Sequence, residues 1–103
     1  MNTEKAVEAF GTLANETRLD ILRHLMRAGP SGMRAGEISA ALKAAPSRIS
    51  FHLSNLADTG VVTSEKHSRE IIYRANYANL AALVKFLVED CCANEPTIRN
   101  CCG

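Results

Sequence analysis

PSRISFHLSNL, residues 46–56, is the stretch from which the rest of the chain is read. Ile49, Leu53 and Leu56 recur at i, i+4 and i+7, which places one apolar stripe on a helix. Pro46 suits the first turn, where its missing N–H costs nothing and its φ is already set. The other faces carry Ser47, Arg48, Ser50, Phe51, Ser54 and Asn55. A solvated helix is usually covered with Glu and Lys, and this one has neither. Short hydroxyl and amide side chains beside one Arg fit a DNA major groove. They approach phosphates and base edges closely, and Arg can bond guanine O6 and N7 in bidentate fashion. Phe51 offers an apolar contact to a thymine methyl. The competing reading is an ordinary amphipathic helix, so the neighbouring segments decide.

Upstream, residues 36–43 form a short helix with Ile38 and Leu42 at i, i+4, and Ala44-Ala45 turns the chain into Pro46. Short helix, tight turn and a second helix with a polar outer face make a helix-turn-helix, although its turn lacks the glycine often found there. Downstream, Gly60 stops the helix. VVTSEK (61–66) and EIIYRA (70–75) then read as two strands rich in β-branched residues, joined across His67-Ser68-Arg69. A hairpin directly after the recognition helix is the wing of a winged helix-turn-helix. Lys66, His67 and Arg69 sit at its tip, where a phosphate or minor-groove contact would fall. Plain solvation of a charged tip is the alternative.

Toward the N-terminus, residues 4–14 place Ala6, Val7, Phe10, Leu13 and Ala14 near one face of a first helix, slightly weakened by Gly11. Asn15 caps a second helix whose broad apolar face is Leu19, Ile21, Leu22, Leu25 and Met26. Gly29-Pro30 ends it, and residues 31–34 read as a loop. A last helix, 79–91, carries Leu80, Leu83, Val84, Leu87 and Val88, a stripe wider than so small a domain covers alone. The reading is a homodimer through the first and last helices, against simple burial within one copy. Two half-sites also raise the affinity of small DNA readers.

A chain of 103 residues is read as one domain, 1–103. Its parts are a helix-turn-helix at 36–59, a wing at 61–75, a dimer helix at 79–91 and a Cys-rich tail at 91–103. The fold class is mostly α with a β-hairpin. The net charge of +1 excludes neither nucleic acid nor other partners, but its distribution is uneven. Residues 43–74 hold Lys43, Arg48, Lys66, Arg69 and Arg74 against Asp58, Glu65 and Glu70, whereas 76–96 hold Lys85 against Glu89, Asp90 and Glu95. The N-terminal stretch has no basic and apolar leader, and no run approaches a bilayer span. The expected location is the cytoplasm, without a membrane partner, where thiols stay reduced.

TLANETRLDILRHL (12–25), GEISAALKAAPSRISFHLSNLADTGVV (36–62) and REIIYRA (69–75) together resemble the arsenic-repressor family, often called ArsR/SmtB. The resemblance covers nearly everything before the last helix. It implies a dimeric winged-helix repressor that leaves double-stranded operator DNA when a metal, metalloid or oxidant binds. It also implies DNA contact for Ser47, Arg48, Ser50 and His52. A buried, hydrogen-bonded His52 supporting the helix is the other possibility for that residue. One familiar effector site of the family is a Cys-x-Cys pair before the recognition helix, and GEISAALKAA contains no cysteine. Another is an Asp and His zinc site along the last helix, which here contains no histidine.

All four cysteines, Cys91, Cys92, Cys101 and Cys102, fall in the last thirteen residues. Thiolates are soft ligands; trivalent arsenic or antimony takes three, while zinc or cadmium takes four in a tetrahedron. Adjacent cysteines in a regular helix point about 100° apart, so Cys91 and Cys92 can share one atom only where the helix ends. FLVEDCC (86–92) resembles a branch of arsenic-responsive repressors whose site is a cysteine pair ending the last helix plus a later cysteine. The expected inducer is therefore As(III) or Sb(III), with no organic cofactor. Alternatives are a cadmium, lead or zinc sensor, a thiol redox or reactive-sulfur switch, and cysteines without a role. Catalysis is not expected. Six residues separate Cys92 from Arg99 where a phosphatase-like loop needs five, and no group nearby in sequence activates the thiol.

Overall fold

Asn2 and Asn15 open the first two helices in the same way, each side-chain oxygen accepting a backbone N–H three residues on, from Lys5 at 2.8 Å and Arg18 at 3.1 Å. They start α1 (Thr3–Leu13) and α2 (Glu16–Ala28). The computed structural model describes residues 1–91 and 96, the side chains of Asp90 and Cys91 excepted. Gly29, at φ 65°, closes α2 as its sequence position predicts.

Residues 31–34, expected as a loop, are more ordered than that. A 3-10 turn (Gly29–Ser31) leads into a two-residue strand, β1 (Met33–Arg34). It pairs antiparallel with a later strand, Met33 opposite Tyr73 and Arg34 opposite Ile72. The wing is thus a three-stranded sheet in the order β1-β3-β2, with β2 (Val62–His67) and β3 (Glu70–Ala75) in register from Val62–Ala75 to His67–Glu70. The close approach is possible because residue 32 is a glycine. At φ +65°, a Cβ there would lie 2.6 Å from both the Ile72 Cγ2 and the Tyr73 carbonyl oxygen.

Helix α3 (Ala35–Leu42) begins one residue early, with the Glu37 carboxylate accepting the Arg34 N–H at 2.9 Å. The turn has no glycine because Lys43 takes the left-handed conformation itself, at φ 53°. The Ser39 hydroxyl supports it by donating to the Ala44 carbonyl. Helix α4 (Pro46–Asp58) then runs with Ile49, Leu53 and Leu56 fully buried. The serines and Asn55 of its outer face are mediocre helix formers, about 0.5 kcal/mol each below alanine. Burying the three aliphatics contributes roughly 1.5–3 kcal/mol apiece. Tertiary burial, more than intrinsic propensity, therefore holds this helix in place.

The core joins Ala6 and Ala9 of α1, Ile21, Leu22 and Leu25 of α2, Ile38 of α3, the α4 stripe, Val61, Val62 and Ala75. Four residues read on the apolar faces of the first two helices face outward: Val7 is 63 % exposed, Leu19 46 % and Met26 47 %, and Ala14 is exposed too. Asn76 caps α5 (Tyr77–Lys85), which starts two residues before the expected position. From Phe86 to Cys91 the helix continues with π geometry. Leu83 and Val88 are buried, Leu80 and Phe86 pack against the core, and Val84 and Leu87 stay about two-fifths exposed. Among the described residues no helix is long and apolar enough to cross a membrane.

Candidate nucleic-acid interface

The buried stripe of α4 fixes which of its side chains point outward. Ser47, Arg48, Ser50, Phe51 and Ser54 are exposed and Asn55 is half-buried. Phe51, at 62 % exposure, is the largest apolar group on that face. Asn55 folds back so that its Nδ2 donates to the Phe51 carbonyl at 3.1 Å. Arg48 lies across to α2, Nη2 donating to Thr17 Oγ1 at 3.3 Å. That bond is exposed and single, so a phosphate or guanine can replace Thr17 at small cost.

His52 is placed differently from the contact set the family resemblance implies. Only 7 % of it is exposed, and its Nδ1 accepts from Arg18 Nε at 3.0 Å. The ring meets Phe51 edge-on, with centroids 5.7 Å apart. A side chain so covered cannot reach a base edge, and His52 is withdrawn from the set of direct contacts. Burial, followed by the charges of Arg18 and Arg48, lowers its pKa. Since Arg donates only, the bonded Nδ1 must carry the lone pair and Nε2 the proton.

At the wing tip, Ser68 adopts φ 56° and turns β2 into β3. Lys66, His67 and Arg69 are all exposed. Glu65 Oε1 accepts from His67 Nε2 at 2.7 Å and from Arg74 Nη1 at 2.8 Å, and these two bonds, His67 first, hold the Glu65 carboxyl below its usual range. Arg34 Nε pairs with Glu70 at 2.7 Å across the sheet. Lys66 and Arg69 form no ion pair among the described residues. They remain available to phosphates, while His67 must first leave Glu65, an exposed bond worth little.

Sequence reasoning missed Arg18, Thr17 and the acidic partners within the wing. Periodicity held a signal for Arg18, which precedes Ile21, Leu22 and Leu25 by three, four and seven residues. A charged residue on a core face needs an internal partner. Of the cysteines expected to hold an inducer, Cys92, Cys101 and Cys102 lie outside the described residues, and Cys91 is described only by its backbone. Among the described residues, no three His, Cys, Asp or Glu side chains are grouped so as to hold a metal.

A helix-turn-helix domain model matches residues 13–65, from the end of α1 into β2. The transcriptional activator HlyU of Vibrio cholerae is 31 % identical over 86 residues, spanning 84 % of this chain and 77 % of that protein. An ArsR-like transcriptional regulator from Rhodococcus sp. RHA1 superposes with a TM-score of 0.77 at 31 % identity, covering 87 % of this chain and 82 % of that one. A possible transcriptional regulator for arsenical resistance gives a TM-score of 0.69 at 27 % identity, covering 80 % and 82 %. With the helix-turn-helix, the three-stranded wing and these relatives in agreement, the chain belongs to the ArsR family of winged helix-turn-helix transcriptional regulators.

Proposed function

We propose that this protein is a cytoplasmic, homodimeric repressor. It binds double-stranded operator DNA through α4 and the wing and leaves it when As(III) or Sb(III) takes the thiolates of Cys91, Cys92, Cys101 and Cys102. The observation that carries the effector assignment is the confinement of all four cysteines to the chain's last thirteen residues. They begin where α5 and its π-helical continuation end. The donor set fits a soft, thiophilic centre, because three thiolates satisfy trivalent arsenic and four are at hand. A relative described as a possible regulator for arsenical resistance supports the same choice.

The dimer is supported by exposed apolar groups on the two outer helices. Val7 on α1 and Val84 and Leu87 beyond it are uncovered in one copy, and a second copy supplies the missing contacts. The two recognition helices would then present Ser47, Arg48, Ser50, Phe51, Ser54 and Asn55 to successive major-groove segments. Lys66, His67 and Arg69 would reach flanking phosphates. Drawing the thiolates together at the end of the dimer helix shifts that helix and changes the spacing of the two readers. Such coupling amounts to about 1–3 kcal/mol, roughly 5–150-fold in operator affinity.

Fluorescence anisotropy of labelled operator tests this. Arsenite should displace the protein, and the variant with all four cysteines replaced by serine should stay bound. Retention of the wild type at saturating arsenite refutes the metalloid assignment. Release by peroxide or persulfide instead transfers the role to thiol redox or reactive-sulfur sensing on the same fold, and release by cadmium, lead or zinc alone makes it a metal sensor.

A further inference from the structure

Arg18 occupies the inward side of α2, where its sequence neighbours on that face are Ile21, Leu22 and Leu25, all buried. A space-filling residue would serve there as well as they do. The guanidinium instead makes two bonds to two other helices. Nε donates to His52 Nδ1 at 3.0 Å on α4, and Nη1 donates to the Thr12 carbonyl at 3.3 Å in the last turn of α1. Both partners are nearly closed to solvent, Thr12 at 8 % and His52 at 7 % exposure. The Arg18 backbone is fixed as well, its N–H held by the Asn15 cap.

We infer that Arg18 is the positioning residue of the recognition helix: one guanidinium, bonded to His52 and to the end of α1, sets how α4 meets DNA and ties that setting to the helix facing a second copy. The inference deepens the proposed function and rests on its operator-binding half and, for the tie to α1, on the dimer proposed there. His52 is then the point where α4 is gripped, and Arg48, Phe51 and Asn55 beside it are the groups whose aim depends on the grip. A lysine at 18 keeps the charge and a donor but cannot span both partners. A phenylalanine at 52 keeps the ring volume and loses the acceptor. Each breaks the same bridge, so their effects must not multiply.

The test begins with duplexes of roughly 30 bp, long enough for two half-sites, selected from a random library by the wild-type protein. Operator and scrambled-duplex affinities are then measured for Arg18→Lys, His52→Phe and the double variant, each shown folded by circular dichroism. Each single variant should lose about tenfold on the operator, the size of one well-made base contact. The scrambled duplex should be affected little, and the double should lose no more than the weaker single. Singles within about twofold of wild type, losses that multiply in the double, or equal losses on both duplexes overturn the inference while leaving the regulator assignment standing. A wild-type protein that enriches no sequence overturns both. Should either variant fail to fold, nitrogen-15 spectra of the wild-type histidines decide: His52 protonated on Nε2, free and operator-bound, is expected, and an Nδ1-protonated ring refutes the bridge.

Discussion

Replacing Gly32 by alanine tests how closely β1 approaches β3 within the three-stranded wing. At φ 65° and ψ −170° Gly32 lies in a region essentially reserved for glycine, where an L-residue costs about 1–3 kcal/mol. The added methyl would also sit 2.6 Å from Ile72 Cγ2, 2.6 Å from the Tyr73 carbonyl oxygen and 2.9 Å from Arg74 Cγ. Ordinary carbon contacts begin near 3.5 Å, and the Tyr73 oxygen belongs to a main chain fixed by pairing with both β1 and β2. Relieving the clash means prising β1 from β3, an overpacking cost of about 1–3 kcal/mol. Together the loss is roughly 2–6 kcal/mol, a large share of the 5–15 kcal/mol that holds a domain of this kind. At about 4–8 °C per kcal/mol, the melting temperature should fall by at least about 8 °C. The matched control is Gly36→Ala in the first turn of α3, where nothing lies within 4 Å of the new methyl. That change should be neutral or stabilise by up to about 1 kcal/mol. Thermal denaturation followed by far-ultraviolet circular dichroism reads both. If the two alanines shift the midpoint alike, the close approach of β1 to β3 does not exist.

The remaining expectations concern the interface and the titration of its support. Because burial and the Arg18 and Arg48 charges depress the His52 pKa below 6.5, the folded state binds fewer protons than the unfolded chain at mildly acid pH. The stability this group contributes is complete above 6.5 and declines as pH falls toward the folded-state value. Urea midpoints between pH 7.5 and 5.5 should show a decline that is shallower in His52→Gln, and identical slopes would contradict it. Removing Lys66 and Arg69 together should weaken operator and scrambled DNA alike and reduce the salt slope of log affinity by about 1 per lost phosphate contact; a loss confined to the operator would make them base readers. Val84→Glu with Leu87→Glu puts two charges on the uncovered face of the last helix, so sedimentation should find monomer where the wild type is dimer. An unchanged mass would place the interface elsewhere.

Where local chemistry decided the outcome, it was legible in the sequence. Asn15, Gly29, Pro46 and Gly60 punctuate the helices where their residue types require it, and EIIYRA is β3 without a shift. What could not be read depended on partners distant in sequence. Met33 and Arg34 carry no strand signal of their own and become β1 only because β3, about forty residues on, offers a free edge. How the helix-turn-helix turns without a glycine was hidden for a related reason. Ser39 and Ala44 bond across the turn tightly enough to hold Lys43 in a conformation that composition alone assigns to glycine. Leu19 and Met26 fit the apolar face of α2, but the angular width of that face depends on which helices pack against it. Both lie beyond its edge.

His52 shows how one side chain can serve the reading of DNA without touching it. On a helical wheel it sits between the buried stripe and the outward-facing Arg48 and Asn55, and a histidine there can point either way. The packing of α4 against α2 decides, bringing the ring within 3.0 Å of Arg18 and leaving it almost no surface. Once covered, the ring is held toward its neutral form, because a second proton would set one cation against Arg18 and leave its lone pair unavailable. Its outward neighbours, Arg48, Phe51 and Asn55, are then presented by a helix whose roll about its own axis is fixed from beneath. A recognition face of short, weakly helix-forming side chains needs such support, since its own residues contribute little to holding the helix. The polar outer surface of α4 and the buried polar bond under it are two halves of one arrangement: the first frees the helix to meet DNA, and the second determines which face it offers.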